Sequence, residues 1–225
     1  MAPVPLRTPT SFRAGARREA AREFRRSAVL AAAQEVFAQA GLDGATIRAI
    51  AQAAGYTPGA VYSYYPTKEA IYADIIAHSL EALRSAIGAA AEGPGDDEAR
   101  LRAAVRALYS YYRLHPQELD LGLYLFHGLR PQALGADLDR QLNSRLIAAL
   151  QKIANTMARC GRLDALAAHR ETIAAMCHVF GVLVMASTGR LKILDSDPDA
   201  LVDHYLNGLV ARLRRSPGQL RSSDG

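Results

Sequence analysis

A chain of 225 residues that is 50% hydrophobic has apolar surface for one large or two modest cores, and two cysteines exclude a disulfide framework. A net charge of +5, with a pI near 9.4, permits nucleic-acid binding without requiring it. Its distribution counts against a protein that coats DNA regardless of sequence, which would spread basic charge over several faces: residues 1–26 hold seven arginines against two glutamates, and the rest sums to zero.

Residues 1–16 combine prolines, threonines and arginines with few large apolar groups, which predicts a flexible basic arm able to follow a phosphate backbone or enter a minor groove. No apolar core or cleavage site of a signal peptide follows the arginines, so the expected location is cytoplasmic. Val29, Leu30, Ala33, Phe37 and Ala40 then form one helical stripe, which Gly41 ends.

The stretch from Thr46 to Lys68, TIRAIAQAAGYTPGAVYSYYPTK, predicts two short helices joined by a tight turn. Thr46 is an N-cap residue, and Ile47, Ile50, Ala51 and Ala54 recur at helical spacing behind it. Ala51 falls where a crossing helix needs a small side chain. Gly55 suits the left-handed residue that closes a helix. Thr57 caps the second helix, Pro58 fits its first position, and Val61 is the apolar residue that packs back on Ile50. This is the punctuation of a helix-turn-helix. Its second helix, Thr57 to Tyr64, carries no charge, so bidentate reading of guanine by arginine is unavailable to it. Base discrimination would fall to Tyr56, Thr57, Pro58 and Ser63, with Gly59 letting the backbone come close. Tyr65 belongs to the core, and Pro66, Thr67 and Lys68 open a further helix.

The ordered run VLAAAQEVFAQAGLDGATIRAIAQAAGYTPGAVYSYYPTKEAIY resembles the N-terminal domain of the tetracycline-repressor (TetR) family of bacterial transcription regulators, over about Arg18 to Leu83. The resemblance implies a three-helix DNA-binding domain, residues 17–88. Tyr62 and Tyr64 match aromatic positions that contact phosphates, Lys68 matches a phosphate-pairing lysine, and Thr46 and Arg48 match phosphate-contact positions of the first reading helix. Pro58 departs from the pattern, since many relatives carry a polar residue there.

Gly93, Pro94 and Gly95 predict a hinge before a second domain, residues 96–215, with a flexible tail at 216–225. Helical patterns run over 96–114, 117–129, 137–160, 163–188 and 198–214, with no strand-like alternation, so the fold class is all-α. Ile173 to Ala186 is apolar nearly all round but too short to span a bilayer, and predicts a buried helix rather than a membrane segment. The least costly cover for such a helix is a second copy of the chain, and the resemblance likewise implies a homodimer through the last two helices. It further implies a small-molecule effector in this domain, for which Tyr109, Tyr112, Tyr124, Phe126, His127 and His178 are the candidate liners. Cys160 and Cys177 lack ligand spacing and are read as buried thiols, and no histidine pair stands at metal-binding spacing, so neither a metal nor a cofactor is expected.

The function expected is therefore sequence-specific regulation of transcription, most simply repression from a palindromic operator released by an effector. The competing class is an α-helical small-molecule carrier or enzyme with no DNA-reading role. No nucleophile beside a base, no paired carboxylates in an apolar setting and no phosphate-cradling glycine loop supports it, so no catalytic residue is assigned.

Overall fold

Helix is the only regular structure among the described residues, 9–124 and 134–215 of the computed structural model, and the chain divides into two units, Met1–Ile75 and Ile76–Gly225.

In unit 1, α1 (Pro9–Gly44) is followed by α2 (Ile47–Ala53), α3 (Pro58–Tyr62) and the first turns of α4 (Lys68–Ala91). α1 starts earlier than expected, so residues 9–16 of the predicted arm are helical; the alanines, arginines and glutamates after Ser11 are strong helix formers even without an apolar stripe. Residues 1–8 of that arm and 216–225 of the predicted tail lie outside the described residues. Gly41 breaks the helical dihedrals of α1 at φ 66°, ψ 177°, at the stop read from the sequence. Val29, Ala33 and Phe37 of α1 meet Ile47, Ile50 and Ala51 of α2 and Val61 of α3 in a core where Ala33, Ile50, Ala51 and Val61 have no exposed surface. Tyr72 of α4 closes it, edge-on to Phe37 at 5.0 Å.

Unit 2 takes the remainder of α4, then α5 (Asp97–Leu114), α6 (Pro116–Tyr124), α7 (Ala136–Gly161), α8 (Ala165–Ser187), α9 (Arg190–Ile193) and α10 (Pro198–Arg215). Asp96, Asp164 and Asp197 cap α5, α8 and α10, their carboxylates accepting from the amides of Ala99, Ala167 and Ala200. The division between the two compact units falls within α4, upstream of the glycines 93–95, which turn the chain from α4 into α5. The second half of α4 belongs to unit 2 because Leu83 and Ile87 are wholly buried there and Glu92 pairs with Lys152 of α7 at 3.4 Å. The one-turn helix α9 was not foreseen; it follows a left-handed Gly189 at φ 70°.

α5 and α10 are joined by a ladder of polar contacts running in opposite directions along the two helices. Arg102, Arg106 and Arg113 meet Asn207, Asp203 and Asp199 in turn, and Arg214 returns to Glu98. α8 packs against α5, α7, α9 and α10. Its 23 residues, with a mean hydropathy of 1.2, are long and apolar enough to cross a membrane, more than the run from Ile173 to Ala186 suggested. Cys160 is half-buried and Cys177 is exposed on α8, which corrects the expectation of two buried thiols: a single chain leaves one side of this helix uncovered.

Ala51 has no exposed surface where α2 meets its neighbours, so there is no room for a longer side chain. Ala51→Leu is expected to lower stability by about 1–3 kcal/mol, read as a lower urea midpoint at unchanged m.

Candidate nucleic-acid interface

The turn between α2 and α3 is built from backbone bonds. Gly55 sits at φ 72°, its N–H donates to the Gln52 carbonyl at 3.2 Å, and the Tyr56 N–H reaches back to the Ala51 carbonyl at 2.8 Å. This is a Schellman closure, and a side chain at φ near 70° would strain it. Thr46 Oγ1 accepts from the Ala49 amide at 3.1 Å and Thr57 Oγ1 from the Ala60 amide at 3.3 Å, so both threonines are the caps that their positions predict. Pro58 occupies the first turn of α3, where no amide hydrogen is needed.

This construction leaves Thr46, Arg48, Thr57, Pro58, Gly59, Tyr62 and Ser63 exposed, Tyr62 with 56% of its surface. Tyr56 and Tyr64 are half-buried and, with Ser63, line a cleft of about 340 Å³ completed by Ala60 and by Arg25 and Val29 of α1. Nothing lies within 4 Å of the place where a Cβ on Gly59 would project. The Ser63 hydroxyl donates to the Ala60 carbonyl at 2.6 Å, which uses its only proton.

Lys68 is placed differently from the phosphate contact that the resemblance implied. Its ammonium donates to the carbonyls of Leu42, Asp43 and Ala45 at 2.7, 3.1 and 3.1 Å. An ammonium has three protons, and the end of α1 takes all of them. Sequence spacing cannot show this, because the carbonyls lie more than twenty residues upstream.

A second group went unnoticed in the sequence. Arg26 of α1 donates through Nε to the Tyr65 hydroxyl at 3.0 Å and through Nη2 to Asp74 of α4 at 2.6 Å, while Tyr65 donates to the same Asp74 oxygen at 2.5 Å. Tyr65 is a core residue as read, 6% exposed, but its hydroxyl is a junction between α1 and α4. Burial, then the bond to Asp74, pushes that phenol well above its usual pKa, so it stays a donor. Arg26 is held still more firmly protonated, first by Tyr65.

The expected effector liners are not brought together among the described residues. Tyr109 and Tyr112 of α5 are buried, Tyr112 against the rings of Tyr111 and Phe180 at 5.3 and 5.4 Å. His178 of α8 stacks on Tyr205 at 4.2 Å, its Nε2 3.3 Å from the Leu201 carbonyl. Tyr124 ends α6, and Phe126 and His127 lie outside the described residues. An open surface depression in unit 2 is lined by Asp137, Arg140, Gln141, Ser144 and Arg145 on the exposed face of α7, none of them an expected liner.

Comparison with known proteins places this arrangement. Residues 29–75 match the model for bacterial regulatory proteins of the tetR family. The chain is 32% identical over 90 residues to the HTH-type transcriptional activator FasR of Mycolicibacterium smegmatis, a match that spans 40% of this chain and 41% of that protein. Among solved structures, a tetR-family regulatory protein from Rhodococcus RHA1 superposes with a TM-score of 0.66 at 21% identity, covering 84% of this chain and 96% of that one. The fatty acid degradation regulator FadR of Bacillus halodurans superposes at 0.63 and 18% identity, over 82% and 94%. The superpositions show a shared all-helical fold, and the family match falls on the helices that form the helix-turn-helix. Residues 29–75, the helix-turn-helix of unit 1, are thus similar to the tetR family of bacterial regulatory proteins.

Proposed function

We propose that this protein is a sequence-specific, DNA-binding regulator of transcription, working in the cytoplasm as a homodimer on a palindromic operator and controlled by a small molecule bound in unit 2. The observation that carries the proposal is the state of α3: a short, uncharged helix, capped by Thr57, anchored by Val61 and presenting Thr57, Pro58, Gly59, Tyr62 and Ser63 to solvent. An N-terminal turn of this kind fits a major groove, with flanking side chains on the phosphates. A dimer would set two copies about 34–36 Å apart, one turn of DNA.

Support for the dimer comes from α8. Ala174, Cys177, Gly181 and Val184 recur at helical spacing and are exposed in the single chain, a strip of small and apolar residues with which a second copy would make close contact. An effector that favours one form of the dimer over another would shift DNA binding by its differential affinity for the two. Repression by occupying a promoter is the simplest output; the Mycolicibacterium relative is named an activator, and a reporter fused to the protein's own upstream region reads the sign.

Retardation of the duplex flanking the protein's own coding sequence, at stated salt, tests the reading. One palindrome should be bound in preference to scrambled DNA, and equal binding to every sequence would count against it. Gly59→Ala separates reading from folding: an alanine here meets open space and favours helix by about 0.5–1 kcal/mol, so the melting temperature should hold or rise while operator affinity falls. Lys68→Met should do the reverse, costing about 1.5–3 kcal/mol of stability through the freed carbonyls and leaving the salt dependence of DNA binding unchanged. Gly181→Arg, also placed in open space, should give monomers by light scattering and abolish operator binding with the helix content intact.

A further inference from the structure

We propose that Arg18, Arg22 and Arg25 form a phosphate track along α1, and that Arg25 seats one DNA phosphate in the cleft between α1 and α3. The inference rests on the reading of unit 1 as a DNA reader; it names the group on the DNA that is gripped and the side chains that grip it.

Three observations converge on it. The arginines stand at i, i+4 and i+7, one face of the helix over about 10 Å, and the next residue of that stripe is Val29, the buried floor of the cleft. All three are exposed, and none of their guanidinium groups has an ion pair or hydrogen bond among the described residues. Like charges four residues apart disfavour a helix, so the stripe does nothing for α1 itself. Arg26, about 100° around the helix, shows the contrast: it is committed to Tyr65, Asp74 and Glu23.

The cleft supplies the second argument. Its volume of about 340 Å³ is at the small end for ligand pockets, and Arg25 is its single charged group. Tyr56 and Tyr64 form its walls, and the hydroxyl of neither has a hydrogen-bond partner among the described residues. A guanidinium offers a planar fork of donors matched to two phosphate oxygens. Ser63 cannot help as a donor, since its proton is held by Ala60.

The third argument is by need. α3 carries no charge, and the ammonium of Lys68 is spent on the end of α1. Affinity for DNA comes largely from neutralised phosphates, and Arg25 is the exposed cation seated directly against α3.

The test uses the full chain and the duplex flanking its own coding sequence, with affinity measured between about 50 and 200 mM salt. Because each substitution removes a contact from both protomers of the dimer, Arg25→Gln is expected to make the plot of log K against log salt shallower by about 1.8, and the triple glutamine variant by about 5.4. The loss should be the same on the operator and on variants of its bases, with the melting temperature unchanged, whereas Arg26→Gln should lower the melting temperature and keep the slope. A slope unchanged in Arg25→Gln and in the triple variant, while the wild type still binds, overturns the track. So does a loss confined to one base pair, which would make Arg25 a base reader, or a melting temperature lowered as far as in Arg26→Gln, which would make it structural. A wild-type chain that binds no DNA overturns the underlying reading, and the track with it.

Discussion

A helix of five residues has almost no stability of its own, because the cost of nucleation is not recovered in so few turns. α3 must therefore be held from outside, and most of unit 1 serves that end. Val61 fixes it in the core, Thr57 and Pro58 set where it starts, and the Gly55 closure sets the angle at which it leaves α2. The Lys68 ammonium binds the start of α4 to the end of α1, and Arg26, Tyr65 and Asp74 repeat the tie on the other side. Each tie places a polar group of one helix on the terminus or side chain of another. A short reading element fixed by charge-assisted bonds at both flanks is a rigid one.

That economy divides the basic residues into two kinds. Lys68 and Arg26 face inward, and their charge is spent on carbonyls, a phenol and a carboxylate. Arg18, Arg22, Arg25 and Arg48 face solvent. Composition cannot separate the two kinds, because both count equally in the charge of +5. In unit 2, Arg106 and Arg113 of α5 pair at the surface with the carboxylates of Asp203 and Asp199 on α10 and help to align those helices.

The helices were legible in the sequence wherever local chemistry decides them. Caps at Thr46 and Thr57, and stops at Gly41 and Gly55, are contacts within a few residues and leave a signature at fixed spacing. What escaped is non-local. The partners of Lys68 lie 23 to 26 residues away and those of Arg26 lie 39 and 48 away, so neither role has a sequence pattern. Glycines mark where a helix ends, whereas the division into compact units follows which core the buried Leu83 and Ile87 join, and falls within α4. The exposed positions of α2 and α3 were legible because exposure in a helix-turn-helix follows from its turn, whereas the packing of the aromatic residues of unit 2 depends on side-chain directions that aromatic content does not encode.

The bond from Ser63 to the Ala60 carbonyl carries a further consequence for the bases themselves. With its proton held, the Ser63 oxygen can only accept, and in the major groove the donors are the amino groups of adenine and cytosine. Thr57 is the opposite case. Its oxygen accepts from the Ala60 amide, which leaves the hydroxyl proton to donate, and the acceptors there are purine N7, guanine O6 and thymine O4. Two hydroxyls six residues apart in the chain are thus fixed with opposite hydrogen-bonding sense by the backbone of a single residue, Ala60. α3 thus offers an acceptor at Ser63 and a donor at Thr57 to any group that approaches it.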